Sequence, residues 1–369
     1  MEKAKISASQ LFILIVLFEL GSALLVPLAM EARQDAWLAI FLGMIGSLFL
    51  FLIYHQLYSY YPDELPTEYM KKIVGKYLGS LLAFLYIVHF AYAAARVLRD
   101  FGEMLVTFAY VDTPLFIVNA LLMLAIIYTV RKGIEVIART GELLFILIYI
   151  LAVFGFILIV SSGLMDLNNL KPVLEEGISR VLKVVLTQSL FVPFGEAVVF
   201  IMILPYLNDS KKARITGLCA LVLSGINLTI TMAINIAVLG VNLTGRSQFP
   251  LLTTVQSIQV ADFLERLDVF FMLALVVGGF IKICVFFYAV VIGTASLFKV
   301  KKSSTLAYPL GLVILFFSMT IASNFQEHLQ EGLELMPALL FIPFHATIPL
   351  VLLIIAYIRK KREATNKTI

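Results

Sequence analysis

Long apolar runs, each separated from the next by a short polar connection, recur from one end of the chain to the other. A helix needs about 20 apolar residues to cross a bilayer's hydrocarbon core, and helices satisfy every backbone hydrogen bond internally, as lipid requires. The pattern predicts about ten crossings, at roughly 9–30, 36–59, 78–98, 114–130, 141–162, 182–206, 215–240, 268–298, 306–323 and 336–358. The connections leave no room for a separate soluble domain. The chain therefore reads as an all-α membrane protein, with residues 1–369 forming a single transmembrane domain. Ten crossings divide into two sets of five, about 9–162 and about 182–358. An odd number per set reverses the polarity of the second, so related halves would form an inverted repeat.

Two runs at corresponding positions of these halves are interrupted. The first, LFILIVLFELGSALLVPLAM, carries Glu19, Gly21, Ser22 and Pro27, and the sixth carries FVPFGE at 191–196. Proline removes an amide donor and glycine tolerates backbone angles that other residues avoid, so each segment can unwind locally. Lipid cannot satisfy unwound backbone, which is tolerated only where protein or a water-filled cavity surrounds it. The pair predicts broken first and sixth helices that wall a central polar cavity. A proline kink satisfied by neighbouring helices is the plainer alternative. Gly278 and Gly279, Pro309, Pro343 and Pro349 are further potential breaks or close-packing points.

Composition agrees with the pattern: 61% of the 369 residues are hydrophobic and 14% charged, against about half and a quarter in soluble domains. Lysine and arginine concentrate on one set of connections. They include Lys71, Lys72 and Lys76, then Arg131, Lys132 and Arg139, then Lys211, Lys212 and Arg214, and the run Arg359 to Arg362. Cytoplasmic loops keep that excess, so both termini are expected in the cytoplasm and the net charge of +4 faces anionic lipid rather than nucleic acid. The charged start precedes an apolar run too long for a signal peptide, and no cleavage site is evident. Cys219 and Cys284 both fall within spans, which argues against a disulfide framework.

Charges at membrane depth are the sharper chemical signal, each costing about 2.5–3.5 kcal/mol at a helix centre on insertion scales. Glu19 precedes the first break, Glu196 follows the second and Lys282 lies midway through the eighth span. Facing one cavity, they would offset one another and could hold a zwitterion or relay a proton. The plainer readings are a half-helix cap for Glu196, a protonated or paired carboxyl for Glu19, and a structural ion pair for Lys282. A lysine ammonium could also stand where a related transporter would bind sodium. At the outer end of the third span, RVLRDFGE places Arg96, Arg99, Asp100 and Glu103 at helical spacing, so ion pairs one turn apart are expected. Such clusters are commonly solvated rims; Asp100 and Glu103 are the candidate gate. Tyr92 lies just inward, where a phenol could meet a ligand. The stretch from Val241 to Leu267 alternates apolar and polar residues at helical spacing after Pro250, predicting a surface helix or outer lid.

His55, His89, His328 and His345 lack metal-ligand spacing such as HExxH, and no phosphate-cradling glycine loop, nucleophile elbow or zinc-type cysteine pair is present. The sequence points to no enzyme, no metal and no cofactor.

The broken sixth span with PFGE, the stretch SQFPLL followed by DFLERLD, and the ten-span plan resemble the spore germination permeases, the B subunits of bacterial germinant receptors. The resemblance covers nearly the whole chain. That family is similar to the amino acid, polyamine and organocation transporters, which implies two inverted five-helix repeats. It implies a nutrient ligand such as an amino acid, location in the spore inner membrane, and two partners, a membrane A subunit and a lipoprotein C subunit. Carried over by position, the ligand pocket would use Gly21, Ser22, Tyr92, Val192, Pro193, Phe194, Gly195, Cys284 and Tyr288. Amides near Gly21 and Ser22 would hold the ligand carboxylate and carbonyls around Pro193 its ammonium. The leading expectation is a germinant sensor that triggers germination. The rivals are a proton-coupled amino acid permease, in which Glu19, Glu196 or Lys282 carries the proton, and a ligand-opened water or ion pathway.

Overall fold

The computed structural model describes residues 5–257 and 267–366. The start of the first helix, α1 (Ala8–Leu20), is set by a capping box: Ser7 Oγ accepts from Gln10 N at 3.1 Å while Ser7 N donates to Gln10 Oε1 at 2.9 Å. It stops at Gly21, and a short 3₁₀ turn, Ser22–Leu24, follows. A second 3₁₀ segment, Met30–Asp35, leads into α2 (Ala36–Tyr60). Next come α3 (Pro66–Val74), α4 (Lys76–Phe108), α5 (Leu115–Arg131) and α6 (Ile134–Ser161). These are the five crossings of the first half, with α3 a short surface helix between the second and third.

The second half opens with α7 (Ile178–Val184), which passes through a π turn, Val185–Ser189, into the second break. A 3₁₀ helix, Phe194–Met202, then completes the sixth crossing. The remaining helices are α8 (Ala213–Arg246), α9 (Pro250–Gln256), α10 (Leu267–Leu297), α11 (Ala307–Thr320), α12 (Phe325–Gln330) and α13 (Ile348–Asn366). The tenth crossing starts before α13, in the wide turns Glu331–Leu335 and Pro337–Thr347. Pro343 has no amide to donate there, and its carbonyl accepts from Ile348 N five residues on. Short helices that each begin at a proline, α3 and α9, follow the second crossing of each half and occupy corresponding places.

Among the described residues, eight helices are long and apolar enough to cross a membrane, and Ala8–Leu24 and Leu115–Arg131 are shorter apolar helices. The all-α architecture with broken first and sixth helices is therefore as the sequence predicts. One span differs materially. The third crossing does not end near residue 98 but continues to Phe108, so RVLRDFGE lies inside a helix about 50 Å long at 1.5 Å per residue. Of the expected lid after Pro250, α9 is formed; residues 258–266, which hold most of DFLERLD, lie outside the described residues.

Both breaks lie where a glycine lets the chain approach a neighbouring helix closely. Gly21 lies against α10: a Cβ added to it would sit 3.0 Å from Lys282 Cδ and 3.2 Å from the Gly278 carbonyl. Gly195 lies against the tenth crossing, where a Cβ would come within 2.8 Å of His345 Nδ1. Both breaks are thus pressed onto neighbouring helices.

Candidate ligand-binding site

A small cavity opens between the two breaks. Its volume is about 50 Å³, and it is walled by Ser22 and Val26 after the first break and by Val192 and Glu196 at the second. Arg96 and Asp100 of α4 close one side, and Leu333 and Phe341 of the tenth crossing another. Space for several waters is present.

Glu196 sits in the first turn of the 3₁₀ helix Phe194–Met202, where the positive end of the helix favours a carboxylate. Its Oε2 lies 2.5 Å from Lys282 Nζ. Lys282 is fully buried, and its ammonium also stands 4.9 Å from the centre of the Phe18 ring. Both carboxyl oxygens of Glu19 are buried with no hydrogen-bond partner among the described residues, within electrostatic range of Lys282 and Glu196. The three ionisable groups form one cluster, and only Glu196 reaches the cavity wall.

The second break is held by polar side chains from three directions. Tyr54 Oη of α2 donates to His345 O at 2.5 Å and to Gly195 O at 3.3 Å. Ser189 Oγ donates to Ala39 O at 2.8 Å. Gln188 links both breaks and the tenth crossing: its Oε1 accepts from Ala29 N at 2.9 Å and its Nε2 donates to Leu333 O at 3.1 Å. Nearby, His89 Nε2 and His345 Nε2 meet at 3.0 Å between α4 and the tenth crossing, both rings buried.

On the side away from the chain termini the cavity roof is the C-terminal half of α4. The one-turn ion pairing expected there is realised only for Arg99 and Glu103, at 2.7 Å. Asp100 instead meets His328 Nε2 at 2.8 Å. Arg96 donates to the His328 carbonyl and, at 3.2 Å, to Tyr92 Oη. Arg99 and Asp100 are buried, so this is a packed cover rather than a solvated rim. Arg96 fits because residue 332 is glycine, where any Cβ would collide with the guanidinium. Among the described residues, Arg96 has no carboxylate partner.

The side toward the termini has a thick aromatic closure. Phe18 makes edge contacts with Phe200 and Phe286, with ring centres 5.2 and 4.9 Å apart. Below them Tyr206 and Tyr288 meet edge to face at 5.9 Å, and Ile6 N bonds Tyr206 O at 2.9 Å.

Of the candidate residues, Ser22, Val192, Glu196 and Asp100 line the cavity together. Gly21 sits at the break but faces the α10 backbone and a second cavity. Pro193, Phe194 and Gly195 form the second break and pack inward, and Tyr92 is engaged by Arg96. Cys284 and Tyr288 are buried in the thick closure, and Glu103 is engaged by Arg99. Gln188, the His89–His345 pair and His328 were not singled out by the sequence. Their partners are 145 or more residues away, and no local spacing marks them.

The chain is similar to known proteins in both sequence and fold. The family model described as spore germination protein matches residues 5–326. The chain is 56% identical over 367 residues to spore germination protein KB of Bacillus subtilis (strain 168), covering all of this chain and 98% of that one. It is 26% identical to spore germination protein YndE of the same organism, over 98% of both chains. Among solved structures, MhsT in complex with L-phenylalanine matches with a TM-score of 0.68 at 13% identity, covering 97% of this chain and 99% of that chain. A Na⁺-coupled sialic acid symporter matches with 0.65 at 12%, covering 92% and 77%. The two structures share the fold alone. From its sequence, on a scaffold of the transporter type, this chain belongs to the spore germination protein family.

Proposed function

We propose that the protein is the membrane B subunit of a spore germinant receptor and that it binds a small zwitterionic nutrient, an amino acid, in the cavity between its two breaks. The observation that carries this reading is the pairing of charges on the cavity walls. Arg96, a guanidinium without a carboxylate partner among the described residues, stands on one wall, and Glu196 stands on another. A ligand carboxylate suits the former and an ammonium the latter. Ser22 and Val192 complete the contact surface. Gly21, Pro193, Phe194 and Gly195 shape it by forming the breaks.

Lys282 holds Glu196 in place and supplies a fixed positive charge beside the first break, so the ligand site needs no sodium ion. Asp100, His328 and Arg96 act as the cover through which ligand enters, while the aromatic closure on the terminal side blocks release to the cytoplasm, as sensing without transport requires. Both termini lie in the cytoplasm by the distribution of lysine and arginine, and the protein resides in the spore inner membrane with A and C subunits as partners.

The test is a thermal-shift screen of amino acids and sugars on the purified protein, repeated in sodium and potassium buffers. A ligand that binds only the folded state raises the unfolding temperature. An amino acid that stabilises the protein equally in both buffers, without proton-driven uptake by reconstituted vesicles, supports the reading. Stoichiometric uptake would establish a permease instead.

A further inference from the structure

Back to back with the central cavity lies a second one. The two meet at adjacent residues, Gly21 lining one and Ser22 the other. The second is larger, at about 300 Å³. Leu20, Gly21 and Leu24 form its floor, Phe271 and Gly278 of α10 one wall, and α6 and α8 its sides. Its chemistry is the reverse of the central cavity's. The lining is apolar apart from Tyr149, Asn227 and Thr231, and the Asn227 amide nitrogen is already engaged by Tyr149 Oη at 3.0 Å and Leu223 O at 2.8 Å. Water would find few partners there. An apolar cavity of about 150 Å³ stays dry and admits a benzene-sized molecule, and this one is about twice that volume.

The mouth of the crevice lies in the C-terminal half of α6 and the middle of α8. Val153, Phe156 and Ile230 line it and remain 56%, 46% and 46% exposed. Ile150, Phe154 and Ile157 on the same helix are similarly exposed. In a membrane-spanning helix, exposed apolar side chains in mid-span face hydrocarbon. The crevice is therefore continuous with the lipid interface, and what bathes its mouth is acyl chain.

We propose that this crevice is a binding site for one acyl chain of a membrane lipid, which inserts sideways between α6 and α8 and ends against the break of the first helix. Glycine at position 155 keeps the passage shaped as it is, since a Cβ there would collide with the Phe271 ring. The occupant presses on Leu20, Gly21 and Leu24 and so holds Gly21 against Gly278. Lipid occupancy is thereby tied to the position of the break that walls the nutrient cavity.

The experiment uses the full chain in lipid nanodiscs doped with a phosphatidylglycerol whose acyl chain ends in a photoreactive diazirine, with label mapped by mass spectrometry. Every lipid-facing surface will take up some label, so the readout is a ratio. The reference is the α5 and α11 face, where Leu121, Leu124, Leu312 and Phe316 are equally exposed. The proposal expects several-fold enrichment on residues 148–159 and 227–234 over that face, falling to the reference level in Ala152→Phe and in Thr231→Phe. Equal labelling of the two faces in the unmodified protein would overturn it, whether or not either variant folds. Enrichment that survives both fillings would overturn it as well. Neither result depends on the identity of the nutrient.

Discussion

The two breaks occupy equivalent places in the two halves yet are stabilised differently. At the first, the chain simply stops being helical: Gly21 caps α1, and what fixes it is close approach to Gly278 and the Lys282 stem. At the second, the chain passes through a π turn and a nine-residue 3₁₀ helix, and side chains from α2 and from the π turn itself hold it in place. Polar tethering suits the second break because its carbonyls lie deep in the bundle, where an unmade hydrogen bond costs about 1–3 kcal/mol. The first is set mainly by volume, whereas the second adds a denser set of hydrogen bonds to its own close packing. Glu196 and Lys282 join them.

The largest expected effect comes from cutting that join. Glu196→Leu leaves the Lys282 ammonium buried without its counter-charge, a change worth about 3–5 kcal/mol. Adding Lys282→Met should restore most of the loss. Denaturant or thermal unfolding of the single and double variants reads the coupling, and additive losses would show that the pair is not an interacting unit. Next comes Gly21→Val, which overfills the contact with α10 and is expected to cost about 1–3 kcal/mol. Tyr54→Phe, which adds no volume, is expected to cost about 1 kcal/mol by removing the donor to Gly195 and His345. If the polar deletion proved neutral while the glycine change was severe, the contrast between the breaks would collapse into packing alone.

The smallest effect lies outside the membrane. Glu327 Oε2 accepts from Ser323 N at 2.8 Å while Asn324 caps α12. Hydrogen bonds from the Ser323 amide and hydroxyl, and from the Asn324 amide, hold the Glu327 carboxyl below the usual carboxylate range. A depressed folded value means that the carboxylate's contribution to stability is complete above the unfolded value and is lost as pH falls through the folded one. An NMR titration should find Glu327 more acidic than an exposed glutamate, and Asn324→Ala should cost about 1 kcal/mol.

Much of the fold was legible in the sequence because the solvent is apolar. Lipid forces long unbroken helices, so a Gly21-Ser22 or a Pro193 inside one stands out. What was not legible had physical reasons. The charges of RVLRDFGE imitate a helix end, because nothing local reveals that Asp100 finds His328 and Arg96 finds a carbonyl across the bundle. Gln188 reads as an ordinary polar residue near a proline, and its two partners lie 159 and 145 residues away. Arg96 itself was visible as part of a charged cluster. Only the three-dimensional arrangement separates it from Arg99, whose charge Glu103 already satisfies.

Calorimetric affinity for the amino acid that most stabilises the protein, compared between the native chain and Arg96→Gln at matched unfolding temperature, bears most directly on the nutrient cavity. Loss of a charged hydrogen bond worth about 1.5–3 kcal/mol should raise Kd about tenfold or more. An unchanged Kd in a folded Arg96→Gln protein would place the ligand elsewhere and contradict the assignment of the cavity between the breaks.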